Sequence, residues 1–94
     1  MLFKEALGYV ISEYRKDKGL TLRQMMNQNK AIISHNYLWE IEKGRKEVSS
    51  VLLREVAKAM NTDTAELVIK VGIVMAGGIP DYLPKELDEL SVNL

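Results

Sequence analysis

The sequence predicts an all-α protein: a five-helix bundle followed by a short C-terminal helical extension. Three observations carry that expectation. Apolar residues recur at helical spacing in segment after segment, and no segment alternates with period two for long enough to be a strand. The segments open at residues that cap helix N-termini and close at Gly or Asn. Only 2 Pro and 6 Gly punctuate the 94 residues, which favours a few long elements over many short ones.

In the first segment Leu7, Val10, Ile11 and Tyr14 fall at i, i+3, i+4 and i+7, a single stripe of a helix. Lys16 and Lys18 suit the negative end of its dipole, and Gly19 supplies the stop. Thr21 with Gln24 three residues on forms a capping box. It opens a short second helix with Leu22, Met25 and Met26 inward as core filler, ended by the polar stretch Asn27 to Lys30. Ser34 caps a third helix that carries Tyr37, Leu38 and Ile41 and closes at Gly44. Ser49 or Ser50 caps a fourth, with the buried stripe Leu52, Leu53, Val56, Ala57 and Met60 and a left-handed stop at Asn61.

Asp63 with Glu66 is a second capping box, opening a fifth helix to about Ala76, where Gly77 and Gly78 break it. At 100° per residue one stripe of this helix holds Leu67, Val68, Val71, Val74 and Met75, enough to cover the core. A second stripe, Ile69, Ile73 and Ala76 with Gly72 beside it, lies on the opposite side, and Lys70 alone is clearly polar. A helix apolar nearly all round is buried on both sides. The preferred occupant of the second side is a partner chain, making Ile69, Gly72, Ile73 and Ala76 the expected dimer interface. The competing expectation is that residues 81–94 fold back and lay Leu83, Leu87 and Leu90 over it. Pro84 suits the first turn of a last short helix containing Leu87 and Leu90.

Composition narrows the function. With no Cys there are no disulfides, thiol nucleophiles or iron–sulfur clusters, and with one His there is no site needing two imidazoles. No metal site and no cofactor are therefore expected. No stretch reaches the roughly 20 apolar residues that span a bilayer, and residues 1–15 have no continuous apolar core of a signal peptide. A cytoplasmic, nucleoid-associated location without membrane contact is the expectation. The acids Glu86, Asp88 and Glu89 read as a solvated face, since no oriented base or ligand accompanies them. Ser34 and His35 are sequence neighbours without a third supporting group, so no catalytic constellation emerges and the chain is not expected to be an enzyme.

Net charge is zero, but it is unevenly spread. Residues 15–47 hold eight bases (Arg15, Lys16, Lys18, Arg23, Lys30, Lys43, Arg45, Lys46) against four acids, while the flanking segments are acidic. Local potential rather than total charge governs attraction to phosphate. A basic middle carrying two short helices joined by a tight connection is the pattern of a helix-turn-helix. A solvated helical surface is the competing reading of the charge alone.

Three blocks sharpen this: Gly19-Leu20-Thr21-Leu22-Arg23-Gln24, Tyr37-Leu38-Trp39-Glu40-Ile41-Glu42-Lys43-Gly44, and Ser49 through Met60. Over roughly residues 5–70 they resemble, in order, the Cro/C1-type (Xre-family) helix-turn-helix DNA-binding domain. Gly44-Arg45-Lys46-Glu47-Val48-Ser49-Ser50 further resembles its Clp-gene-regulator branch. The resemblance implies a lambda-repressor-like bundle; residues 1–68 are expected to form the DNA-binding domain, and the doubly apolar fifth helix makes 69–94 a C-terminal helical extension for dimerisation. The resemblance also implies an ion pair between Arg15 and Glu42 that ties the first helix to the third. One departure stands out. The segment between Thr21 and Tyr37 is two residues longer than the family pattern, Met26 replaces a small residue, and the turn glycine is missing around Asn29-Lys30-Ala31.

On the third helix His35, Asn36, Trp39, Glu40 and Lys43 share one outward face. By the resemblance Ser34, His35, Asn36 and Glu40 hold base-contacting positions, and Trp39 joins them on that face. Asn can bond adenine bidentately and Glu accepts from cytosine. The alternatives are a plain surface histidine for His35, and a core or protein-contact role for Trp39. Arg23, Lys30, Lys43, Arg45 and Lys46, with Thr21 and Gln24 at the start of helix two, are the candidate phosphate contacts. The function expected is a sequence-specific transcriptional regulator that binds a two-fold operator in double-stranded DNA as a homodimer. The competing class is a protein-interaction module, an antitoxin or adaptor on the same fold, with another protein as partner.

Overall fold

A computed structural model describes residues 1–77, which form five α-helices and no strand: α1 (Phe3–Lys18), α2 (Leu22–Gln28), α3 (His35–Glu42), α4 (Ser50–Ala59) and α5 (Thr64–Gly77). Local hydrogen bonds set most of the boundaries. The Leu2 N–H donates to Glu5 Oε1 at 2.8 Å as α1 begins. At its end Gly19 takes the left-handed conformation, φ 65°. This lets Gly19 N–H reach Lys16 O and Leu20 N–H reach Arg15 O, the paired bonds of a Schellman stop. Thr21 Oγ1 accepts from Gln24 N–H at 3.1 Å and Gln24 Oε1 from Thr21 N–H at 2.9 Å, so the capping box of α2 is reciprocal.

Ser34 Oγ caps α3 through Tyr37 N–H, and Ser49, rather than Ser50, caps α4 through Leu52 N–H. Asn61, φ 56°, closes α4 with the same two-bond stop as Gly19, through Lys58 O and Ala57 O. The start of α5 differs from the expected box. Asp63 Oδ1 accepts from Glu66 N–H, but the Glu66 carboxylate turns away to Thr62 Oγ1 at 2.8 Å and Lys70 Nζ at 3.6 Å. Gly44, φ 73°, closes α3 as expected with the same two-bond stop, its N–H reaching Ile41 O and Arg45 N–H reaching Glu40 O, and α5 runs through Gly77.

The core gathers Leu7 and Ile11 of α1, Met25 of α2, Leu38 and Ile41 of α3, Val56 of α4, and Leu67 and Val71 of α5, all fully buried. Helix α1 packs on α3 and α5, α2 on α3 and α4, and α4 on α5. Gly8 decides how closely α1 approaches α3. A Cβ there would stand 2.5 Å from Glu42 O and 2.8 Å from Ile41 O, both backbone atoms. Only a residue without a side chain lets these two helices meet at that point.

The turn between α2 and α3 is held from α4. The Glu55 carboxylate, on a residue only 8% exposed, accepts from Ile32 N–H at 2.8 Å and lies 3.8 Å from Lys58 Nζ. Ile33 enters the core and Lys30 takes a left-handed φ of 53°. The non-glycine Lys30 thus occupies a backbone conformation that costs an L-residue about 1–2 kcal/mol, in the stretch where the resemblance expects a glycine. Met26 lies half-buried against the core while α2 keeps its packing on α3.

On α5 the stripe facing the core is narrower than its sequence suggests. Leu67, Val71 and Val74 are buried, but Val68 and Met75 are 40% and 38% exposed. The cause is that α1 and α4 cover a single line of this helix. On the other side Ile69 is 61% exposed, Gly72 and Ala76 are exposed, and Ile73 is half-buried against the core margin. The boundary expected at residues 68/69 falls inside this continuous helix. No helix among the described residues is long and apolar enough to cross a membrane. The last short helix with Pro84, the fold-back of Leu83, Leu87 and Leu90, and the acids Glu86, Asp88 and Glu89 lie outside the described residues.

Candidate nucleic-acid interface

Helix α3 presents two faces because its residues are dealt at 100° intervals. Leu38 and Ile41 are fully buried, which anchors the inner face. Ser34 and Asn36 are exposed, His35 and Glu40 are half-buried, and Trp39 is 37% exposed. The N-cap and first two turns of α3 therefore carry the hydroxyl, imidazole, carboxamide, indole and carboxylate groups that the sequence singles out. The Ser34 hydroxyl accepts from Tyr37 N–H through one lone pair, which leaves its O–H donor and a second lone pair for a ligand.

The orientation of α3 is fixed from behind. Arg15 Nε donates to Glu42 Oε1 at 3.0 Å, its second terminal nitrogen lies 2.9 Å from the same oxygen, and Nη1 donates to Leu20 O at 3.2 Å. The Glu42 side chain is 5% exposed and that of Arg15 is 26%. The pair joins α1, the α1–α2 turn and the end of α3, next to the seat provided by Gly8. At the same end Tyr37 Oη donates to Glu47 O at 3.1 Å, tying the α3–α4 loop back to α3. Arg45 and Lys46 ride on that loop and are exposed.

Four of the singled-out side chains converge at the C-terminal end of α3. The Arg45 guanidinium carbon is 5.1 Å from the Trp39 ring centroid and Lys43 Nζ is 5.6 Å from it, both within cation–π range. Arg45 Nη1 is also 3.8 Å from Glu40 Oε1, and Arg45 N–H donates to Glu40 O at 3.1 Å. At the start of α2, Thr21 and Gln24 bond each other, which leaves the Gln24 amide –NH2 as the group able to donate outward. Arg23 and Lys30 are exposed at the two ends of α2.

Two contributors escaped the sequence reading. Glu55 was hidden because an acid on an apolar stripe looks like an interruption, although its place between Leu52 and Val56 was a signal of a paired buried carboxylate. Gln28 Nε2, which donates to Tyr14 Oη and to Ala59 O at 3.1 Å each, sits in the polar stretch whose composition marks only a helix stop. Among the described residues no group of three or more His, Cys, Asp or Glu side chains is placed to hold a metal ion.

No protein-family profile matches the chain. Among curated proteins, the transcriptional regulator ClgR of two Mycobacterium tuberculosis strains is 39% identical over 75 residues, which is 80% of this chain. The chain spans 65% of the length of those relatives. Among solved structures, the clp gene regulator ClgR from Corynebacterium glutamicum is 37% identical with a TM-score of 0.66, covering 100% of this chain and 92% of that one. A second crystal structure of that regulator is 41% identical with a TM-score of 0.64, covering 80% of this chain and 95% of the other. More than a third of the residues are identical across 92% of that crystallised chain, on a matching all-α fold, and the chain accordingly belongs to the family of these ClgR regulators.

Proposed function

We propose that this protein is a transcriptional regulator that binds double-stranded DNA sequence-specifically, as a homodimer on a two-fold operator. The observation that carries the reading is the outward face of α3, with its polar groups ahead of an exposed basic cluster, Lys43, Arg45 and Lys46. The transcriptional regulators to which the chain is similar support it. In this reading α3 lies in a major groove, which admits one helix. Asn36 and Glu40 read base edges, with Ser34, His35 and Trp39 flanking them. Arg23, Lys30, Lys43, Arg45 and Lys46, with Thr21 and Gln24, engage phosphates and set the register. No chemical step is involved, so the protein acts as a binder and not as an enzyme.

Residues 1–68 form the DNA-binding unit and 69–94 the dimerisation extension, with Ile69, Gly72, Ile73 and Ala76 of α5 against their copies. Two recognition helices then enter successive major grooves about 34 Å apart. The exposed Ile69, Val68 and Met75 favour a second reading as well, in which α5 meets a different protein. Salt titration of duplex binding separates the two. Neutralising several phosphates on each half-site gives a steep fall of log K with log salt, whereas a protein-interaction module shows almost none. Selection from a random duplex library, seeded with clp gene control regions, then yields a two-fold site if the reading holds. Enrichment of no site, or of an asymmetric single half-site, overturns it.

A further inference from the structure

We propose that Trp39 is a positioning residue for phosphate binding and not a reader of bases: its ring holds Lys43 and Arg45 ready for the DNA backbone. The proposal rests on the DNA-binding reading and concerns how that surface is ordered before DNA arrives. Trp39 is the single Trp of the chain and is 37% exposed at the last turns of α3. Both cations that follow it, four and six residues on, approach the ring, Lys43 Nζ at 5.6 Å and the Arg45 guanidinium carbon at 5.1 Å. Arg45 is 60% exposed at its side chain, a setting in which a long arginine ordinarily samples many rotamers.

Chemistry makes this arrangement suited to phosphate. A guanidinium drawn to a ring by its positive charge keeps its edge N–H donors for an anion, because cation–π attraction uses none of them. Glu40 restrains the same side chain from the helix at 3.8 Å, a partly exposed pair weak enough to yield to a phosphate oxygen. Two like charges gathered at one ring gain most when an anion neutralises both. The competing role for Trp39, contact with a base or a thymine methyl, uses the ring surface that the cations approach.

The test compares wild type with Trp39→Leu, which keeps apolar bulk without a π quadrupole, and Trp39→Phe, which keeps a ring. Each is titrated with its selected duplex and with a random duplex over a range of salt. Two exposed cation–π contacts set a ceiling of roughly 5- to 30-fold on the loss for Trp39→Leu. That loss is expected on both duplexes, with an unchanged salt slope because no charge is removed, and Trp39→Phe recovers most of it. In the free protein, proton NMR should show ring-current upfield shifts of the Lys43 and Arg45 side-chain methylenes, lost in Trp39→Leu. A loss confined to the selected duplex, wild-type affinity in Trp39→Leu, or no ring-current shift in the wild type overturns the proposal. A wild type that shows the shifts yet binds neither duplex at low salt overturns the DNA reading itself, and the phosphate role with it.

Discussion

Asn36 is the second residue of α3 and is exposed there, one turn ahead of Glu40. A carboxamide at that place can bond an adenine edge bidentately, and its removal affects only sites that present the right base. Asn36→Ala should cost about 1–3 kcal/mol on the selected site and little on random DNA. Arg45→Ala should weaken both and lower the salt slope by about one. Fluorescence anisotropy with the two duplexes checks both, and unaltered site preference in Asn36→Ala would mean that α3 lies in another register. At this scale the sequence was uneven in what it disclosed. Outward positions on α3 follow from angle alone. The approach of Lys43 to Trp39 is an i, i+4 relation readable from spacing, but Arg45 reaches the ring only because the chain turns back after Glu42.

The elements were the most legible level, since a cap is a hydrogen bond between residues three apart and needs no tertiary information. Thr21, Ser34, Ser49, Gly19 and Asn61 all act where their chemistry places them. The α5 box failed because Thr62, just ahead of the helix, offers Glu66 a competing donor. The α2–α3 turn could not be read in advance, because its support comes from Glu55, 23 residues away. Within it, Lys30→Gly should relieve left-handed strain against the entropy a glycine loses on folding, a net gain of about 0.5–1 kcal/mol. If Lys30 meets phosphate as proposed, the same change should weaken DNA binding and lower the salt slope, because one exposed cation is lost. Urea denaturation and the duplex titration give the two readouts, and a destabilised variant would contradict the account of the turn.

Arg15 and Glu42, which only the resemblance linked, bond across 27 residues. Deleting Arg15 strands a carboxylate that is 5% exposed. Because the arginine itself is a quarter exposed and water can partly replace it, Arg15→Ala should cost about 2–3 kcal/mol. A melting temperature equal to that of the wild type would contradict this.

For the molecule as a whole, the question is what meets the outer side of α5. A helix with Ile69 at 61% exposure and Val68 and Met75 near 40% leaves an apolar line that one copy of residues 1–77 does not cover. In the homodimer reading Ile69→Asp places two charges at one two-fold contact, and losing one buried Ile per protomer costs about 1.5–3 kcal/mol each. The dimer dissociation constant should rise at least about a hundredfold, seen by light scattering at graded concentration, and operator binding should fall with it. Ile73 is the poorer probe, because it is half-buried against the core and a charge there would loosen the fold as well. A dimeric Ile69→Asp protein that binds its operator normally places the interface elsewhere.

The close seat at Gly8 bears on how such a regulator changes over generations. The contact is made by main-chain carbonyls of Ile41 and Glu42, and so is indifferent to which side chains α3 turns outward. In the DNA-binding reading His35, Asn36 and Glu40 can be exchanged as a cassette without disturbing the seat, while Trp39 keeps its place beside Lys43 and Arg45. In that reading duplicated copies of the gene are free to drift toward new operators while the core is held constant. The same indifference makes those three positions the natural place to transplant a foreign reading face, whereas Gly8 tolerates no substitute at all.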